Sequence, residues 1–401
     1  MKKVIINLFA VILLSIMTGC EPTGNIVEGV ITLNKTVSNI NVLKNDTLVA
    51  TVTPTSDVPL IWVSDDEKIA TVFKGIITAQ YPGTCNIIVT CGNLSATCVV
   101  KVFPSGVDPN DTTTIDDIDE YSLVWSDEFN GAELNRNVWN IEVNGNGGGN
   151  NELQYYTARP ENVSIGIDPE TGESCLILTA KKENYMGKAC TSGRVNTKNN
   201  LTFKYGLIEA RIKIPYTANG LWPAFWMMGN DFDQVGWPKC GEIDIMEMGN
   251  ANGIRNGTQD RYFNGAAHWG QSWQNHPNYA RAITNSYSIQ GTFHTFRLYW
   301  TPESLTMYLD KDIFPSVQPY YVMEIAASDN TNAPGYYFHK SNFILFNLAI
   351  GGHFPFPNLS SDNNINNVTA LNAGNNYTAS YYIDYVRVYQ KGEENETFWQ
   401  K

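Results

Sequence analysis

The sequence predicts an all-β protein assembled from sandwich domains, and three observations carry that prediction. Short strand-like runs such as Phe343-Ile344-Leu345-Phe346 and Val386-Arg387-Val388-Tyr389 are separated by Gly, Asn and Pro clusters. Glycines (32) and aromatic residues (12%) are plentiful. No long apolar stripe with a 3.6-residue period appears. A chain of 401 residues is long enough for two or three domains. Its net charge of −13 argues against nucleic acid, whose phosphates it would repel. A neutral polymer is the more natural partner.

The N-terminus predicts an export signal over residues 1–19. Lys2 and Lys3 precede an apolar stretch, Val4 to Met17, that is too short to span a bilayer comfortably. The ending Met17-Thr18-Gly19-Cys20 resembles a bacterial lipobox. That resemblance makes Cys20 the lipid-modified first residue of the mature chain. It implies a lipid-anchored protein of the bacterial cell envelope, expected at the outer membrane, with its face left open.

Residues 27–102 read as a separate β module. Runs such as Asn86-Ile87-Ile88-Val89-Thr90 alternate, and turn signals recur at Asn45-Asp46, Pro82-Gly83 and Gly92-Asn93. The stretch Ile61 to Val72, then Gly75-Ile76-Ile77-Thr78-Ala79 and Pro82-Gly83-Thr84, resembles bacterial immunoglobulin-like domains of group 2. The expected role is a spacer, with glycan binding as the alternative. Residues 103–120, carrying Asp108, Asp111, Asp116, Asp117 and Asp119, form an acidic linker that separates this module from a domain over 121–391. Apart from Cys20, three cysteines fall in each domain, so at most one disulfide per domain is possible and spacing does not choose it. Small buried thiols are the expected outcome for Cys85, Cys91 and Cys98.

The segment Gly241-Glu242-Ile243-Asp244-Ile245-Met246-Glu247 is the most informative of the chain. Its apolar residues read as a strand, and strict alternation puts Glu242 and Asp244 on one face with Glu247 on the other. A β-bulge near Ile245-Met246 would bring Glu247 round to join them. The glutamate Cα atoms then stand roughly 13 Å apart, and inward-leaning side chains bring the carboxyls to about 5–7 Å. Retaining glycosidases need about 5–5.5 Å and inverting ones about 6.5–9.5 Å, so the spacing favours retention. A solvated strand face is the bland alternative, which the apolar flanks oppose. A carboxylate metal site is a second alternative, although no His or Cys stands at ligand spacing. Asp244, between the glutamates, is placed to tune both through like-charge repulsion.

Glu-Ile-Asp-Ile-Met-Glu also resembles the signature of glycoside hydrolase family 16 in its bulged, laminarinase-like form. The resemblance continues through Asn150–Thr157, Ser192-Gly193-Arg194, Tyr205–Arg211, Gly220–Trp226, Gly236-Trp237-Pro238, Asn347–Gly352 and Asp384–Tyr389, and covers about residues 122–390. It implies a β-jelly roll of two stacked sheets, with Glu242 as nucleophile, Glu247 as acid/base and Asp244 as helper. It further implies that Trp222, Trp226 and Trp237 line a sugar-stacking groove. Arg194 and Asn151 would hydrogen-bond sugars on the non-reducing side, and His268 would lie near the acid/base. Catalysis would need no cofactor. A structural calcium ion held by Glu128 and Asp384 is a further implication, with a salt bridge as the alternative for Asp384.

The implied activity is retaining endo-hydrolysis of a β-1,3- or mixed β-1,3/1,4-glucan by a monomer. Relatives with the same signature also cut galactose-containing chains, which makes an endo-β-1,4-galactosidase acting on poly-N-acetyllactosamine or mucin-type glycans the alternative. A non-catalytic glycan-binding lipoprotein and a transglycosylase are further readings. Polar loops expected at Ala251–Phe263 and Pro355–Ser380 would shape the groove.

Overall fold

The computed structural model describes residues 27–110 and 117–401. The expected signal peptide and Cys20 therefore lie outside the described residues, as do residues 111–116 of the linker. Among the described residues no helix is long and apolar enough to cross a membrane.

The chain is almost entirely β. In the N-terminal part, strands Val37–Asn41, Leu94–Phe103, Gly83–Cys91 and Ile61–Ser64 form a four-stranded sheet in that order. A three-stranded and a two-stranded sheet complete this part. Alternation explains the packing: along Leu94–Phe103, Cys98, Val100 and Val102 point into the core and are fully buried. All six described cysteines are buried free thiols, so the expected buried outcome holds and no disulfide forms among them.

The linker does not keep the two parts apart. The Tyr81 hydroxyl meets Thr292 Oγ1 at 2.7 Å and also hydrogen-bonds His294, while its ring packs edge-on against Tyr287 at 5.1 Å. Phe103 packs against Phe314 at 5.8 Å. Either end of the linker is also held: Asn41 donates to the Pro104 and Val107 carbonyls, both at 2.8 Å, and Lys391 pairs with Glu120 at 2.7 Å.

The large domain stacks a ten-stranded sheet on a nine-stranded one. The second sheet carries the site. Its main strands are β1 (Asn140–Ile141), β2 (Arg194–Asn196), β3 (Leu221–Gly229), β4 (Glu242–Met248), β5 (Tyr262–His268), β6 (Asn278–Thr284) and β7 (Asn342–Ile350). Their spatial order is β1-β2-β7-β3-β4-β5-β6, all antiparallel. Phe225 and Met227 of β3, Ile243 of β4 and Ile344 and Phe346 of β7 face Ile208, Leu298 and Val386 of the other sheet in one core cluster, all fully buried. Phe225 stacks on Phe346 at 4.8 Å. The opposite faces of β3, β4 and β7 are thereby committed to the groove.

β4 contains one extra residue. Both neighbours skip it: on β5 the partners step from Asp244↔Ala266 to Glu247↔Asn264, and on β3 from Trp226↔Asp244 to Ala224↔Glu247. Ile245 and Met246 consequently both point into the core with no exposure. A bulge breaks the ladder and strands backbone groups. Here the buried Tyr320 hydroxyl donates to the Ile245 carbonyl. Gly249 ends the strand at φ +103°, where a Cβ would stand 1.9 Å from the Leu221 carbonyl oxygen, so only glycine fits.

Tyr320→Phe leaves that buried carbonyl without its donor and is expected to cost about 1–3 kcal/mol of stability. Urea denaturation checks it. An unchanged midpoint would mean that the bulge is held by other contacts.

Candidate active site

The register of the sheet arranges the groove face in three rows. One runs Arg194, Asn347, Ala224, Glu247, Asn264 across β2, β7, β3, β4 and β5. The next runs Asn196, Leu345, Trp226, Asp244, Ala266. The third runs Phe343, Met228, Glu242, His268. All three carboxylates of β4 thus share the groove face, as the bulge expectation required. Ala224, beside Glu247, keeps the middle of the face low.

Each acid has a different surrounding. Glu247 is 8% exposed and accepts two hydrogen bonds, from Trp222 Nε1 at 3.0 Å and Asn264 Nδ2 at 2.8 Å. Burial pushes its carboxyl up to about 7, against the pull of those two donors. Glu242 is half-buried; burial and the nearby Glu247 charge raise it, while the Arg194 cation and the Trp237 side chain favour its ionised form. Asp244 is 4% exposed, and burial followed by the Glu242 and Glu247 charges holds its carboxyl well above the usual range. The trio therefore does not ionise fully at neutral pH. Burial pushes the His268 imidazole down to about 4, with His276 adding to the effect, so it is neutral there.

Arg194 belongs to this electrostatic unit. Its Nε lies 3.0 Å from Glu142 Oε1, and its guanidinium sits 4.8 Å from the Trp226 ring centre. A groove of about 640 Å³ continues past it, lined by Asn140, Glu142, Asn144, Asn196 and Phe232 among others. Trp226 donates from Nε1 to Asn347 Oδ1 at 2.7 Å. Trp237 lies beyond Glu242 beside His276, Trp273 and His268, with ring centres 4.8, 6.1 and 6.3 Å away. Asn151 is exposed, in a left-handed backbone conformation, 3.0 Å from His353 Nε2.

Three expectations change. His268 does not sit at the acid/base: antiparallel pairing puts it opposite Glu242, with Nε2 3.5 Å from Asp244 Oδ2. Trp222 is more than a stacking platform, since it bonds Glu247 and lies parallel to Phe354 at 4.7 Å. Glu128 and Asp384 form no shared calcium cradle. Glu128 receives a bidentate pair from Arg387 at 2.9 and 2.8 Å, and Asp384 pairs with Arg211 instead. Each carboxylate is thus already matched by its own guanidinium, and the salt-bridge alternative describes Asp384. Of the two expected loops, Ala251–Arg255 is a short helix and Tyr262-Phe263 already belongs to β5.

Sequence reasoning missed Asn264, Asn347 and Phe354. The signal for Asn264 was available: alternation back from His268 through Ala266 puts it on the acids' face. Phe354, from the segment after β7, carried no such signal.

The family description "Glycosyl hydrolases family 16" matches residues 149–327. A glycoside hydrolase family 16 enzyme from a Bacteroides ovatus mixed linkage glucan locus, solved with a G4G4G3G product, is 39% identical; the alignment covers 66% of this chain and all of that one, with a TM-score of 0.56. A glucan endo-1,3-beta-glucosidase from Cryptopygus antarcticus is 35% identical over 250 residues, which is 60% of this chain and 86% of that protein. The chain spans only 34% and 38% of the length of two longer curated relatives. With the bulged carboxylate strand in place and relatives matched over most of their length, the chain belongs to glycoside hydrolase family 16.

Proposed function

We propose that the domain is a retaining endo-β-glycosidase that cleaves internal bonds of β-1,3- or mixed β-1,3/1,4-glucan. The single observation that carries this reading is the bulge that turns Glu242, Asp244 and Glu247 onto one groove face. The activities of the glucanase relatives support the substrate class, and the groove running on past Arg194 suits a chain bound by its interior.

The chemistry follows from the surroundings. Glu242 attacks the anomeric carbon as its carboxylate; burial and the Glu247 charge push this carboxyl up to about 8, and the Arg194 cation and the Trp237 side chain oppose that rise. Glu247 gives its proton to the leaving oxygen. Its value near 7 matters because the second step reverses its role: it must then take a proton from the water that releases the glycosyl group. The Trp222 and Asn264 donors keep it from rising too far for that return. Burial and the two glutamate charges oppose ionisation of Asp244, which limits the negative charge beside the nucleophile.

A binding protein without turnover is the reading of another class. Sugar binding alone gives no reason to crowd three repelling acids below the surface of a groove. The envelope location is part of the proposal and rests on Met17-Thr18-Gly19-Cys20, with the N-terminal module as an immunoglobulin-like spacer.

Digestion of laminarin, barley β-glucan and poly-N-acetyllactosamine side by side should give short oligosaccharides from the glucans. The first-formed reducing ends should be β by proton NMR, and Glu242→Gln or Glu247→Gln should abolish release while the thermal transition persists. Cleavage of the galactose-containing chain alone would replace the substrate, and full activity in either variant would remove the mechanism. For pH, Glu247 must be protonated in the first step, so the rate falls as pH rises through its value near 7. Asn264→Ala deletes a donor that holds this value down, so the alkaline limb of kcat/KM should move up by roughly half a pH unit or more. A limb that stays in place would show that Asn264 does not act on Glu247. Cys20→Ala should abolish fatty-acid labelling of the chain in a bacterial host; labelling that persists would reject the anchor.

A further inference from the structure

The hydrolytic reading uses Glu242, Asp244 and Glu247 and requires no metal, yet it gives no part to His268 or to the buried, unbonded Oδ2 of Asp244. We propose that Glu242, Asp244 and His268 form a zinc site within the groove, at which Zn²⁺ and the glycan exclude one another. One donor atom from each residue lies within 4.8 Å of the other two. Ligands held about 2.0–2.1 Å from a tetrahedral ion stand about 3.3–3.5 Å apart. Side-chain adjustments of around an ångström therefore close the cluster on one ion.

The register explains why the three meet. Glu242 and His268 are direct cross-strand partners on β4 and β5, and Asp244 follows Glu242 on the same face. Asp244 is 4% exposed, and its Oδ2 has no hydrogen bond although it points toward His268 Nε2 at 3.5 Å. His268 Nδ1 is likewise buried without a partner. A buried carboxylate oxygen with no donor is costly, and a cation at this point would satisfy it. The sequence concealed the arrangement, because the imidazole arrives from the next strand.

The donor set selects the metal. An imidazole nitrogen with two carboxylate oxygens suits zinc, whereas calcium takes oxygen ligands alone. Three protein ligands leave one tetrahedral position for water from the groove. Two carboxylates balance the ion's charge. With Glu242 engaged by the ion, its oxygen no longer reaches an anomeric carbon, so the ion acts as a reversible block that competes with substrate.

The test uses the full chain, stripped with EDTA and dialysed, and titrated calorimetrically with zinc chloride alone. One ion per chain is expected to bind at micromolar concentration. In a parallel assay zinc should inhibit laminarin hydrolysis competitively, and added EDTA should restore the rate. His268→Ala should weaken zinc binding by about tenfold or more, with near-UV circular dichroism confirming its fold. Glu242→Gln should weaken it as well and gives an independent variant if His268→Ala does not fold. His276→Ala, which removes the half-buried imidazole whose ring centre lies 6.4 Å from that of His268, should leave the affinity unchanged. Absence of micromolar binding, equal affinity in both His268→Ala and Glu242→Gln, or inhibition that substrate does not relieve would overturn the proposal. The calorimetric readout needs no turnover, so it stands apart from the success or failure of the hydrolytic reading.

Discussion

Everything in the site depends on one extra residue in β4. Were the strand regular, Glu247 would point between the sheets, where the fully buried Phe225 and Phe263 leave no partner for a charge, and Met246 would take its place in the groove. A buried unpaired carboxylate costs far more than a bulge. The bulge in turn depends on a neighbour that satisfies its carbonyl, and Tyr320 supplies the hydroxyl. The catalytic geometry is therefore fixed from the core side, by residues that touch no sugar.

The same constraint governs the electrostatics. Putting three acids on one face of a buried sheet forces them to share protons, because burial and mutual repulsion both oppose charge. The protein then separates them by unequal surroundings. Glu242 faces a cation, Glu247 two neutral donors, and Asp244 an imidazole that is itself uncharged. Arg194 is held for this by Glu142 and by the Trp226 ring, so its charge sits at a defined place instead of sweeping through solvent.

The acids were legible in the sequence because they interrupt an alternation that the core demands. Ile243, Ile245, Met246 and Met248 can all be buried only if the period slips once, and that slip is what gathers Glu242, Asp244 and Glu247. The strand partners were less legible. Which residue of β5 stands opposite Glu247 depends on the length of the turn before it, so Asn264 escaped notice and His268 was assigned to the wrong end of the trio. Glu128 and Asp384 show the complementary failure. Their types fit a cation, but the guanidiniums that neutralise them, Arg387 and Arg211, lie on other strands or faces that spacing does not reveal. Tyr81 is a similar case, since nothing near it in the chain predicts the His294 and Thr292 side chains it meets.

The two flanks of the acids differ in a way that bears on how a polymer lies in the groove. Toward β1 and β2 the lining is amide-rich, with Asn140, Asn144 and Asn196 around Glu142 and Arg194. Beyond Glu242 it is aromatic: Trp273 is 62% exposed and stacks on His276 at 5.7 Å, next to Trp237. Amides read the directions of hydroxyl groups and tolerate little rotation about the chain. Rings contact the apolar face of a pyranose and tolerate sliding. On the proposed reading, a glycan crossing from one flank to the other would be gripped for orientation on the Arg194 side and supported loosely on the Trp273 side. That asymmetry suits an enzyme that must hold the sugar it attacks in register while releasing the other fragment.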